Sequence, residues 1–151
     1  MEKHFLWPRL YVDAAIIPGG SVPLSDGPTH YLKNVLRCQR GDSVRIFNGR
    51  DGEMHARIAE FGHRSARLDV VAMLRPQLVQ TRRIHVLFAP LPKDRLDFVI
   101  EKSVELGATD LHPVLTDHAD IRKINAERVR AQTIEAAEQC ERLTVPVLHP
   151  L

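Results

Sequence analysis

Long apolar runs are missing from this 151-residue sequence: the longest are short, as in Ile84-His85-Val86-Leu87-Phe88-Ala89. A membrane-spanning helix needs about 20 consecutive apolar residues, so none is expected. The N-terminal stretch MEKHFLWPRLYVD has neither an apolar core segment nor a small-residue cleavage site, and a secretory leader is not expected either. Cysteine is scarce. Cys38 and Cys140 lie far apart and form no C-x-x-C pair, which argues against a disulfide framework or a zinc ribbon. Both read as reduced, buried small hydrophobes of a cytoplasmic protein. The eight histidines are scattered, no two with metal-ligand spacing on a helix, so no metal site is expected. Nucleotide signatures are absent as well: no G-x-G-x-x-G follows a strand, and there is no Walker loop and no G-x-S-x-G elbow.

The composition is that of a globular protein, with 44% apolar and 26% charged residues. The net charge of +2 conceals an asymmetry. Residues 1–75 carry +3 and residues 76–151 carry −1, and nine of the basic residues in the first half are arginine. Arginine presents a planar fork of donors that suits phosphate, so contact with nucleic acid is one reading of this half. A solvated surface is the other.

The hydrophobic period changes along the chain. Arg9–Asp13 alternates like a strand, and the Pro- and Gly-rich segment 16–28 reads as a loop. Tyr31, Leu32, Val35 and Leu36 have helical spacing, with Ser25 or Asp26 as cap. Ser43–Phe47, Glu53–Ala59 and Ala66–Val71 alternate as strands, the first two joined by the turn Asn48-Gly49-Arg50-Asp51-Gly52. Residues 1–75 therefore read as a mainly antiparallel β-domain with one helix.

A boundary is expected at Arg75-Pro76-Gln77, and residues 76–151 read as α/β. Ile84–Ala89 resembles a strand covered on both faces. Asp94–Leu106 is amphipathic and stops at Gly107, and Asp110–Leu115 is a second strand. Asn125 caps a helix expected to reach about Leu143, with Cys140 on its inner face, and a third strand is expected near the end of the sequence. Two or three parallel strands with helices on one face leave apolar surface uncovered, so this second domain reads as incomplete.

Two clusters are chemical candidates. Arg37 and Arg40 lie near a helix end, where they either bind phosphate or simply offset the helix C-terminus. In Glu135-Ala136-Ala137-Glu138-Gln139-Cys140-Glu141-Arg142, Glu138 and Arg142 are four apart, as in a routine helix pair, or else line a pocket with Gln139. His112 and His118 read as strand-end and loop histidines without catalytic duty.

Taken together, several segments resemble the RsmE family of bacterial 16S rRNA methyltransferases. They are His30 with Val35-Leu36-Arg37, Gly41-Asp42, Phe47-Asn48-Gly49, Ile100 to Ala108, Pro113, Glu135 to Arg142, and Val145-Pro146. The resemblance implies an α+β protein, with an N-terminal PUA-like RNA-binding β-barrel in residues 1–75. Residues 76–151 would be the first part of a SPOUT methyltransferase domain whose C-terminal knot is not in this sequence. It implies a homodimer that methylates N3 of a uridine in 16S rRNA, in the small ribosomal subunit, using S-adenosylmethionine. The family continues past the position of Leu151 with a glycine-rich loop that binds the cofactor, so no cofactor-binding residue is expected here, no catalytic residue is assigned, and the chain alone is expected to be inactive. Arg9, Arg37, Arg40 and Arg45 are the expected RNA contacts, and Glu138, Gln139 and Arg142 the expected pocket-facing residues. Where the family often has a Glu-Arg pair after the second strand, this sequence has Asp117-His118. The alternatives are a stand-alone RNA-binding module and a non-catalytic interaction protein.

Overall fold

The computed structural model describes residues 4–151, which divide into two compact units, one ending at Leu78 and the other running from Val79 to Leu151. Among the described residues no helix is long and apolar enough to cross a membrane.

The first unit is built on a five-stranded sheet. Its strands are β1 (Arg9–Tyr11), β2 (Ser21–Leu24), β3 (Ser43–Phe47), β4 (Glu53–Phe61) and β5 (Ala66–Arg75), in the order β1-β3-β4-β5-β2. Only β1 and β3 run parallel. Alternation decides the faces: Val22, Leu24, Val44, Ile46, Met54, Ala56, Ile58, Leu68 and Val70 enter one core. Register shifts between β4 and β5 mark bulges, which bend and twist that pair.

Strand β2 lies where a loop was expected. Its Pro23 has no N–H to give a ladder, which is tolerated because β2 is at the sheet's edge, while Val22 and Leu24 are buried. Helix α1 (Asp26–His30) continues as a π-helical turn over Tyr31–Val35 and buries Leu32. The β3–β4 turn is locked by Asn48. Its Oδ1 accepts from the N–H groups of Arg50 and Asp51 at 2.9 Å, and its Nδ2 donates to the Ala14 carbonyl at 3.0 Å. At Gly52 (φ +84°) a Cβ would lie 2.4 Å from the Arg75 carbonyl oxygen, so glycine is required there.

The second unit has three parallel strands, β6 (His85–Phe88), β7 (Asp110–Pro113) and β8 (Val147–Leu148), in that order. Helices α2 (Lys93–Glu105) and α3 (Ala126–Gln139) join them. Leu96, Ile100 and Val129 pack with Phe88, Ala108 and Leu111 on one face of the sheet. The other face is open: Leu87 is 66% exposed, so β6 is covered on one side only, contrary to the two-sided cover its apolar run suggests.

Asn125 caps α3 as expected, accepting from the Arg128 N–H at 2.9 Å. The helix ends at Gln139 rather than near Leu143, because Glu141 takes the left-handed conformation (φ +60°). That early stop leaves Cys140 exposed rather than on the inner face; Cys38 is half-buried against the first core.

Candidate nucleic-acid interface

The first unit sorts its arginines by what they bond. Arg9 is buried, its guanidinium 3.8 Å from the Phe47 ring centre and its Nε donating to Glu53. Arg75 donates to the same carboxylate at 2.8 Å. Burial pushes the Glu53 carboxyl up, but the hydrogen bonds from Arg75 and Arg9 outweigh it and hold Glu53 below the ordinary range. Burial lowers Arg9, only partly offset by Glu53. Arg45 is also buried, and its guanidinium reaches the Phe5 carbonyl at 3.4 Å. Arg9 and Arg45 thus act inside the unit and lie off the surface a phosphate would meet.

Other arginines are spent on surface carboxylates: Arg64 on Asp26, Arg67 on Glu60 and Asp69. Arg37, Arg40 and Arg57 differ. All three are exposed, and none of them makes an ion pair among the described residues. Arg37 stands at the helix stop in the left-handed conformation (φ +57°), a place that ordinarily favours glycine. The Cys38 N–H closes this stop on the Leu32 carbonyl at 2.9 Å.

Directly after Arg40, the segment Gly41–Ser43 lines an open groove of about 410 Å³ with Trp7, Cys38 and Arg57. The Trp7 indole stacks on His55 (centroids 4.4 Å apart), and His55 Nε2 lies 2.9 Å from Ser43 Oγ. Trp7 and the Arg57 guanidinium thus share one groove, and an aromatic with a cation is a pairing that single-stranded nucleic-acid sites use, where bases stack and phosphates meet cations. Sequence reasoning missed Trp7 and Arg57. The signal for Arg57 was its outward position in alternating β4; Trp7 offered none.

In the second unit Arg142 turns inward. Its guanidinium donates to the Val104 carbonyl at 3.0 Å and the Gly107 carbonyl at 3.4 Å, and to Thr144 Oγ1 at 3.0 Å. It thereby satisfies the C-terminal carbonyls of α2. Burial lowers its pKa. Glu138 is half-buried, and Gln139 lines a groove of about 360 Å³ between α2 and α3 with Asp97, Glu101, Glu105, Gln132 and Glu135. The chemistry of this groove does not suit S-adenosylmethionine. Four carboxylates line it and would repel the cofactor's own carboxylate, and its lining holds no arginine, lysine or glycine-rich turn to receive that group.

Of the two histidines set aside in the sequence, His118 stands apart and exposed, whereas His112 joins His85 and His149 on the open sheet face. His112 stacks between His85 and His149, and Asp110, buried beneath them, accepts from Arg83 at 2.7 Å and Thr109 Oγ1 at 2.7 Å. Hydrogen bonds from His149, then Thr109 and Arg83, hold the Asp110 carboxyl far below its ordinary value. Burial, aided by its two histidine neighbours, lowers His112.

Two family models match the chain: an RNA methyltransferase PUA domain over residues 24–71 and an RNA methyltransferase domain over residues 79–151. The ribosomal RNA small subunit methyltransferase E of Rickettsia conorii is 33% identical over 141 residues, covering 93% of this chain and 57% of the relative. The protein of that name from Synechocystis is 32% identical, covering 91% of this chain and 46% of the relative. Two solved structures superpose. A Legionella pneumophila methyltransferase with bound S-adenosylmethionine gives a TM-score of 0.85 at 27% identity, covering 96% of this chain and 63% of that one. The Neisseria gonorrhoeae ribosomal RNA small subunit methyltransferase E, also bound to S-adenosylmethionine, gives 0.80 at 27%, covering 95% and 62%. The chain spans about half to three-fifths of the length of these relatives.

Proposed function

Because the chain belongs to the RsmE family of rRNA methyltransferases, we propose that it supplies the RNA-binding unit and the first part of the catalytic unit of a 16S rRNA (uracil-N3)-methyltransferase. The supporting observation is that both units match relatives of that name in the same order, along more than nine-tenths of this chain. In this reading the first unit is a PUA-like barrel spanning about residues 1–75, the cofactor is S-adenosylmethionine, and the protein works as a cytoplasmic homodimer on the small ribosomal subunit.

Methylating uridine N3 requires loss of the N3 proton and a base freed from pairing and stacking. The chain's own share of that task is to hold RNA in register. Arg37 and Arg40 meet phosphates, Arg57 and Trp7 border the groove that takes an unstacked base, and Arg9 and Arg45 keep the unit's framework.

The test is fluorescence anisotropy of a labelled 16S rRNA fragment over a salt series. Binding should weaken with salt, and Arg37→Glu should lower affinity about tenfold and flatten the slope by about one phosphate contact. Unchanged affinity and slope in Arg37→Glu would contradict this assignment.

A further inference from the structure

The open face of the second sheet carries a cluster that the RNA reading does not use. Val86, Leu111 and Leu148 pack toward the helices, so their alternating neighbours point the other way. These are His85 on β6, Asp110 and His112 on β7, and His149 just after β8. Parallel pairing sets His85 beside Asp110. His85 Nδ1 lies 2.9 Å from His112 Nε2, so of this pair one nitrogen carries the proton and the other presents a lone pair. The His112 and His149 rings stack at 4.0 Å.

One ligand atom each from His85, Asp110 and His112 lies within 4.8 Å of the other two. A tetrahedral ion with bonds of about 2.1 Å needs ligand atoms roughly 3.4 Å apart, so small side-chain rotations close the set. We propose that His85, His112 and Asp110 form a binding site for a borderline divalent transition metal of the zinc class, with one position open to water. Two imidazoles and one carboxylate are the donor set such ions prefer over magnesium or calcium. Outer contacts orient the carboxylate: His149 Nε2 at 2.9 Å and Arg83 at 2.7 Å on Oδ1, and Thr109 Oγ1 at 2.7 Å on Oδ2. An ion on Oδ2 displaces the longer Arg83 Nε contact of 3.3 Å, and where it is held by the facing nitrogens of His85 and His112 it replaces the hydrogen bond between them and releases its proton to solvent. The nearby guanidinium charge weakens the site without blocking it. Because the ligands come from two adjacent strands, the ion ties β6 to β7.

The experiment is calorimetric titration of Zn²⁺ into the full chain after chelator treatment, paired with thermal unfolding followed by circular dichroism. One saturable site is expected, with a higher melting temperature when zinc is bound. His85→Ala and His112→Ala should each weaken binding at least tenfold and abolish the thermal shift. His118→Ala, at an exposed position outside the cluster, should change neither. If His112→Ala fails to fold, His85→Gln, at an exposed side chain, carries the same expectation. No saturable binding, or binding unaltered by the His85 and His112 changes, overturns the proposal. The inference is independent of the RNA reading: zinc binding can fail while RNA binding stands, and the reverse.

Discussion

Arg37 and Glu53 show opposite demands on single residues. Arg37 occupies a left-handed position that costs a side chain about 1–2 kcal/mol relative to glycine. Arg37→Gly is therefore expected to raise stability by up to about 1 kcal/mol in denaturant unfolding while weakening RNA binding; a loss of stability would show that the guanidinium has a structural partner. A binding role would account for strain retained at this exposed cation. Glu53, in contrast, holds two arginines inside the unit. Glu53→Gln should destabilise the first unit by about 3–5 kcal/mol, because Arg9 is left buried with its charge uncompensated. The same pairing sets an acid limit. With its pKa depressed in the folded state, Glu53 contributes stability that is fully present above the ordinary glutamate range and is lost as pH falls from there through its lower folded value. Acid unfolding of Glu53→Gln should lack that component.

Two sequence segments that read as separate motifs form one joint between elements. Ile100 to Ala108 ends helix α2, where Ile100 and Val104 are fully buried and Gly107 (φ +92°) makes the stop. Arg142, from the later segment, bonds the carbonyls at that stop. Arg142→Ala should lower the stability of the second unit by about 1–3 kcal/mol, read as a lower melting temperature with the α2 amides exchanging faster. An unchanged melting temperature would return Arg142 to a pocket-facing role.

The periodicity that located α2, β3, β4 and β5 is local, and so it was legible in the sequence. Strand β2 was not, because Pro23 and the neighbouring glycines are loop signals until an edge position excuses them. The end of α3 was hidden because a left-handed Glu141 has no residue-type signature. The site was less legible than the fold. An arginine looks the same in sequence whether it pairs with Glu53 or faces water, and that difference separates Arg9 from Arg37. The stacked histidines were illegible for a related reason: His85, His112 and His149 are brought together only by strand pairing.

At the scale of the whole chain, the two units carry unequal shares of the proposed reaction. The first has three exposed arginines with no ion pair among the described residues, and one of them, Arg57, lines a groove with Trp7. The second is a three-stranded sheet with one face packed by helices and the other open, and the groove between α2 and α3 is lined with carboxylates. The relatives solved with S-adenosylmethionine are longer than this chain by more than a third. In the proposed division of labour the first unit would hold RNA and the second would serve as scaffold, with the carboxylate-lined groove left without cofactor. The most direct test is calorimetric titration of S-adenosylmethionine into the chain, after circular dichroism has established that it is folded. The account predicts no saturable heat from the folded chain. Saturable one-to-one binding would contradict it, placing a cofactor site among residues that the geometry assigns to helix packing and strand pairing.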